Sequence, residues 1–92
     1  MNTVYVLKAE FLHDREEAHE YLAKTLALPL YYGKNLDALA DCLGELGEDV
    51  TVILDDAEQL RESDGYGAAV LSVLEHCADE GAFTLICGGL SD

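Results

Sequence analysis

The stretch Leu28-Pro29-Leu30-Tyr31-Tyr32-Gly33-Lys34-Asn35-Leu36-Asp37-Ala38-Leu39-Ala40-Asp41-Cys42-Leu43 decides how this chain folds. A proline, two tyrosines and a glycine within five residues stop one helix, because proline lacks an amide hydrogen and glycine gives up the most backbone freedom. Asn35 then starts another, as a favoured helix-capping residue. The second helix sorts its residues into two rows. Leu36, Leu39, Leu43 and Leu46 form an apolar row, and Asp37, Asp41 and Glu45 form an acidic one. Carboxylates one turn apart repel by roughly 0.2–0.5 kcal/mol per pair. Helix stability therefore gives no reason for the acidic row. A rigid line of carboxylates beside paired tyrosines suits a positively charged partner.

Working outward, Thr3 to Leu7 reads as a first strand, apolar and β-branched. Asp14 with Glu17 three residues on forms a capping box. The helix that follows, about Arg15 to Leu28, places Ala18, Tyr21, Leu22, Thr25 and Leu26 on one face and stops at Pro29. The acidic helix, about Leu36 to Leu46, ends at Gly44 and Gly47. Val50 to Leu54 is an apolar strand followed by Asp55-Asp56. A short helix over Ala57 to Arg61, a loop through Ser63-Asp64-Gly65-Tyr66-Gly67 and a helix over Ala68 to Glu80 come next, with Val70, Leu71, Leu74 and Ala78 inward and Gly81 as C-terminal cap. Phe83 to Cys87 is the last strand, and Gly88-Gly89 opens a tail. Strands separated by helical crossovers predict an α/β fold with a small three-stranded parallel sheet. Right-handed crossovers place the helices on one face. The 92 residues predict a single domain spanning 1–92.

The charge balance sets the class of partner. Five Lys and Arg stand against 19 Asp and Glu, for a net charge of −14. Nucleic acid needs a basic footprint, and an anionic membrane needs one too, so both are poor partners. A basic protein is favoured, and long-range attraction would speed its arrival. No apolar run reaches the length of a membrane span. The N-terminus shows no signal-peptide pattern. Cys42, Cys77 and Cys87 are odd in number and form no CxxC, which fits small buried residues in a reducing cytoplasm better than disulfides.

Chemistry-bearing motifs are sparse. There is no GxGxxG and no GxxxxGK[ST] phosphate loop, and no HExxH or CxxC company for His13, His19 or His76, so the expectation is no cofactor and no metal. Asp55-Asp56 reads as turn and helix-cap duty. His19 and His76 read as helix-surface or core-margin residues. Cys42 is a poor nucleophile, because neighbouring carboxylates disfavour its thiolate. Tyr5 and Tyr21 fall on apolar patterns. Of Tyr31 and Tyr32, one is expected to anchor the loop inward and the other to face a partner. Tyr66, in a glycine-flanked loop, fits either role.

The segment from Leu26 to Leu43, with its run Leu-Ala-Leu-Pro-x-Tyr-Tyr-Gly-x-Asn-Leu-Asp-Ala-Leu-x-Asp, closely resembles the barstar family, intracellular inhibitors of secreted bacterial ribonucleases such as barnase. A weaker likeness continues through Leu74 to Leu85, including Glu80-Gly81-Ala82. The resemblance implies a barstar-like fold and no catalytic residues. It implies that the acidic helix and the loop before it plug a ribonuclease active site. The position matching Asp41 stands in for a substrate phosphate. That matching Asp37 pairs with an arginine of a guanine-recognising loop, and that matching Tyr31 packs on the catalytic histidine. Asn35 and the backbone near Gly33 add contacts, and Glu80 adds charge. The chain departs from the pattern at Ala40 and Leu46, where tryptophans are expected, at His76, where an acid is expected, and at Gly44-Glu45.

The expected partner-binding set is thus Tyr31, Gly33, Asn35, Asp37, Ala40, Asp41, Gly44 and Glu80. The expected partner is a basic, guanyl-specific, barnase-like ribonuclease, bound by a cytoplasmic monomer in a one-to-one heterodimer as part of a bacterial toxin–antitoxin or immunity pair. Two rival readings follow from the same residues. One is an acidic adaptor on this scaffold that binds a basic protein other than a ribonuclease. The other is a small enzyme using Asp55, Asp56 or a cysteine.

Overall fold

The computed structural model describes residues 3–29, 32–62 and 65–88. Strand β1 (Thr3–Lys8) runs into a 3₁₀ turn (Ala9–Phe11), then α1 (Arg15–Thr25), α2 (Leu36–Leu43), β2 (Val50–Asp55), α3 (Ala57–Arg61), α4 (Tyr66–Asp79) and β3 (Thr84–Gly88). The sheet is parallel, in the order β1-β2-β3. The expectations that rest on Tyr31, Ser63, Asp64 and Gly89 lie outside the described residues.

The period-two alternation of strands divides the sheet into two faces. Tyr5, Val52 and Leu85 share one register row, and Leu7, Leu54 and Cys87 the next. These point into the core, with Leu7, Val52 and Leu54 fully buried. Val6, Ile53 and Ile86 share a row on the other face, where Val4, Val6 and Ile86 are 56%, 44% and 49% exposed. The helices therefore cover one side, as two right-handed crossovers laid down in the same direction require. Ala18 and Leu22 of α1, Leu39 and Leu43 of α2, Leu60 of α3, and Val70, Leu71 and Leu74 of α4 complete the buried cluster.

Helix ends fall earlier than the sequence pattern suggests, for identifiable reasons. Helix α1 stops at Thr25 rather than at Pro29. Ala27 takes a left-handed conformation (φ 54°), and the Leu28 amide donates to the Ala23 carbonyl at 2.9 Å. That is a Schellman closure with alanine where glycine is usual. Helix α4 ends in the same way at Gly81 (φ 89°), with the Ala82 amide on the Cys77 carbonyl. It begins two residues early, at Tyr66, so Tyr66 and Gly67 belong to the helix and not to the loop before it. Helix α2 closes at Leu43, and the chain over residues 44–46 continues in tighter turns through the Glu45 amide to Cys42 and the Leu46 amide to Leu43. Asp14 accepts from the Glu17 amide at 3.0 Å, as its capping position predicts.

Leu54 lies at the centre of the covered face with no exposed surface. Leu54→Ala should cost about 2–5 kcal/mol of unfolding free energy. Ile86→Thr, on the open face, should stay within about 0.5 kcal/mol. Urea titrations of the two variants check the contrast, and equal costs would mean that both sheet faces are covered.

Candidate functional site

Among the described residues between α1 and α2, two take left-handed backbone. Ala27 closes α1, and Lys34 (φ 54°) turns the chain into α2. Such backbone is uncommon outside glycine and is held only where its surroundings insist on it. Asn35 supplies part of that hold. Its side-chain oxygen accepts from the Ala38 amide at 2.8 Å, the N-cap bond expected of it, while its amide nitrogen donates weakly to the Gly33 carbonyl at 3.4 Å. Such a cap is worth about 1 kcal/mol. The Tyr32 amide donates to the Pro29 carbonyl at 3.0 Å. A Cβ on Gly33 would come within 3.4 Å of both the Asn35 side chain and Ala38, so the loop lies close against the first turn of α2.

Helix α2 shows the two rows expected of it. Leu39 and Leu43 are fully buried and Leu36 is half-buried, whereas Asp37, Asp41 and Glu45 are exposed. The inner row packs against α4, where the Cys77 thiol points at the Ala40 carbonyl at 3.9 Å. Ala40 is half-buried and Gly44, the C-cap, is exposed. Beside the acidic row lies a groove of about 420 Å³, lined by Leu28, Pro29 and Leu46 on its apolar side and by Asp41 and Glu45 on its charged side. Cys42 opens onto it. Burial, and then the charges of Glu45 and Asp41, push its thiol pKa upward, so it is held protonated. Glu80 stands at the C-cap of α4, 3.6 Å from His76 one turn earlier. Two residues on, the Ala82 carbonyl accepts from the Gly47 amide and ties the end of α4 to the end of α2.

The loop has a second anchor that sequence reasoning placed wrongly. His19 is not at a surface or core margin but 1% exposed. Its Nδ1 meets the Tyr32 hydroxyl and its Nε2 the Tyr66 hydroxyl, each at 2.5 Å. Tyr32 is thereby the inward tyrosine of the pair. Periodicity did hold a signal: His19 follows the buried Ala18 and precedes Leu22 by three. A lone histidine in that pattern gives no hint of its partners, which lie 13 and 47 residues away.

The remaining candidates sort differently. Asp56 stands at the N-cap of α3 with a left-handed backbone, yet its side chain caps no amide and accepts instead from the Gln59 side chain at 2.9 Å. This corrects the expected helix-cap role. Gln59 also meets His13 Nε2 at 2.5 Å, so histidine and carboxylate are separated by an amide. Asp55 and Asp56 line a small cavity of about 180 Å³ with Lys8 and Gln59 and no histidine. Among the described residues no cluster of His, Cys, Asp and Glu could hold a metal. Burial, chiefly, raises the Cys77 and Cys87 thiols as well, and thiols so shifted are poor nucleophiles. Tyr5 and Tyr21 are half-buried, and the Tyr21 hydroxyl accepts from the Lys8 amide. No helix among the described residues is long and apolar enough to cross a membrane.

Burial, and then the charge of Arg15, lower the His19 pKa from its ordinary value of 6.5. The unfolded chain therefore binds this proton more readily than the folded one. The stability held by neutral His19 is full above about pH 6.5 and declines as the pH falls below it. Urea unfolding at pH 8 and pH 5.5 should show a steeper acid loss for the wild type than for His19→Gln, whose side chain does not titrate. Equal slopes would mean that His19 carries its charge at no cost.

A family model described as Barstar (barnase inhibitor) matches residues 2–86. The match covers nearly the whole chain, and the three-stranded parallel sheet with its one-sided helices agrees with it. The chain belongs to the barstar family.

Proposed function

We propose that this member of the barstar family inhibits a basic, guanyl-specific ribonuclease of the barnase kind by seating its acidic helix and tyrosine loop in the enzyme's active site. The family is one of inhibitors rather than enzymes. The observation that carries the reading is the exposed row Asp37 and Asp41 on a helix whose inner row, Leu39 and Leu43, is fully buried. Carboxylates on so fixed a base lose little freedom when they dock. They match in charge the phosphates that a ribonuclease holds with arginine, lysine and histidine, and arginine can grip each one through two hydrogen bonds. Neither aspartate has an ion-pair partner among the described residues to give up first.

In this reading Asp41 takes the place of the central phosphate, and Asp37 meets an arginine of the base-recognising loop. Tyr31 packs on the catalytic histidine. Gly33 and Asn35 present backbone and side-chain contacts, Ala40 and Gly44 line the helix surface, and Glu80 adds charge from α4. The protein works in the cytoplasm as a monomer, one to one with its target, as the antitoxin or immunity half of a bacterial pair. A second reading has one specific support. Ala40 and Leu46 are smaller than the family's aromatic residues, and the groove beside Leu46 is open, so a basic protein other than a ribonuclease could be the partner.

The deciding experiment is RNA cleavage by barnase, and by any ribonuclease encoded beside this gene, with the protein titrated in. Loss of activity at one equivalent supports inhibition. Tight binding with cleavage intact moves the assignment to the adaptor. Asp41→Ala should weaken binding by more than about 2 kcal/mol and Glu45→Ala by less than about 1 kcal/mol, because Asp41 lies in the family motif and Glu45 outside it. The barnase–barstar pair is itself among the systems behind that threshold. Equal, mild effects would remove the plug model. Stopped-flow association should also slow at least about tenfold between low salt and 0.5 M, as steering between opposite charges requires. A rate indifferent to salt would argue that contact, not long-range charge, governs encounter.

A further inference from the structure

His19 joins three separate parts of the chain. It lies on α1, Tyr32 on the loop before α2, and Tyr66 at the first position of α4. A neutral imidazole offers one N–H donor and one acceptor nitrogen, and a phenol can serve as either. One tyrosine therefore donates to His19 while the other accepts from it. The two bonds depend on each other: when Nε2 accepts from the Tyr66 hydroxyl, Nδ1 carries the hydrogen and donates to the Tyr32 hydroxyl, and in the other tautomer both directions reverse.

Tyr66 is the fixed end of this series. Its neighbour Gly67 is buried so closely that a Cβ there would lie 2.6 Å from a Leu60 methyl and 3.1 Å from the Leu12 carbonyl oxygen. The first turn of α4 is thus pressed against α3 and the chain after the 3₁₀ turn. The Tyr66 hydroxyl does no capping work at that terminus, where Gly65 is the N-cap. Its described bond is the one to His19. The ring also meets the imidazole edge-on, with centroids 5.4 Å apart.

We propose that Tyr66 is a positioning residue: through His19 it fixes Tyr32, and with Tyr32 the loop that presents Gly33 and Asn35 to the partner. The functional half of this statement rests on the ribonuclease-inhibitor reading. The ordering of the loop does not.

Native-state amide hydrogen exchange followed by NMR tests the ordering in the full chain with no partner. The Tyr32 and Ala38 amides, bonded to Pro29 and Asn35, report opening of the loop. The Val52 and Leu54 amides of the central strand report global unfolding. Tyr66→Phe keeps the ring and removes the hydroxyl. It should speed exchange at Tyr32 and Ala38 about tenfold, the size of one hydrogen bond. In a Tyr32→Phe background the same change should add less than about twofold, because the series is already cut. Unchanged exchange in the loop, with acceleration only at Val52 and Leu54, would make Tyr66 a support for α4 and overturn the proposal. Strictly additive effects of the two substitutions would overturn it as well. Against a ribonuclease that the wild-type protein inhibits, Tyr66→Phe should weaken inhibition by the factor by which it lowers the closed fraction of the loop, as the exchange data give it, and inhibition that stays undiminished while that fraction falls would overturn the positioning role. If the wild type inhibits no ribonuclease, it is the inhibitor reading that fails, and the exchange data still decide whether Tyr66 orders the loop.

Discussion

Everything in this molecule hangs on a sheet that is covered from one side. Three parallel strands in sequential order need two crossovers, and crossovers of one hand travelling in one direction put all their helices on the same face. The buried rows Tyr5–Val52–Leu85 and Leu7–Leu54–Cys87 are the floor on which the helices rest. Helix α2 packs on α4 and uses Leu39 and Leu43 as its footing. Its other side faces water by necessity. That is what allows Asp37 and Asp41 to stand in one exposed row on the helix, continued by Glu45 in the turns beyond it, with no ion-pair partner for the three among the described residues. Their mutual repulsion is a few tenths of a kcal/mol per pair, and burial of one leucine, at about 1.5–3 kcal/mol, outweighs it.

The loop before α2 is the costlier construction. It carries two non-glycine residues, Ala27 and Lys34, in left-handed backbone. Each costs on the order of 1 kcal/mol or more and persists because its surroundings determine it. The Schellman bond to Ala23 holds one end, the Asn35 cap holds the other, and the His19–Tyr32 bond holds the middle. Ties of this kind hold Tyr32, Gly33 and Asn35 in place, which reduces the ordering cost of docking them. The same ties make the loop answerable to groups far from it in sequence, above all His19 and Tyr66. A buried imidazole that must stay neutral also makes the loop's anchor sensitive to acid.

Much was legible from sequence because the signals were local. Short apolar, β-branched runs marked the strands, Asp14 and Asn35 announced helix starts, Gly81 announced a helix end, and the Leu36–Leu39–Leu43 row announced which side of α2 is buried. The family run from Leu26 to Asp41 is local as well. Where local signals competed, the reading failed. Pro29 looked like the stop for α1, but the closure happens earlier at Ala27, whose left-handed backbone nothing in its side chain advertises. Tyr66 and Gly67 looked like loop, yet they open α4. Asp56 looked like a cap, and its side chain went to Gln59.

By itself, then, the sequence determined the order of elements, the parallel sheet, the acidic exposed face of α2 and the apolar row beneath it. These follow from periodicity, capping chemistry and charge, which act over a few residues. Only the tertiary structure decided which tyrosine turns inward, that His19 is buried and engaged at both nitrogens, and that the start of α4 stands behind the loop. Those facts depend on chain segments 13 and 47 residues apart meeting at one imidazole. No local pattern encodes such a meeting, because the packing of the helices onto one sheet face creates it.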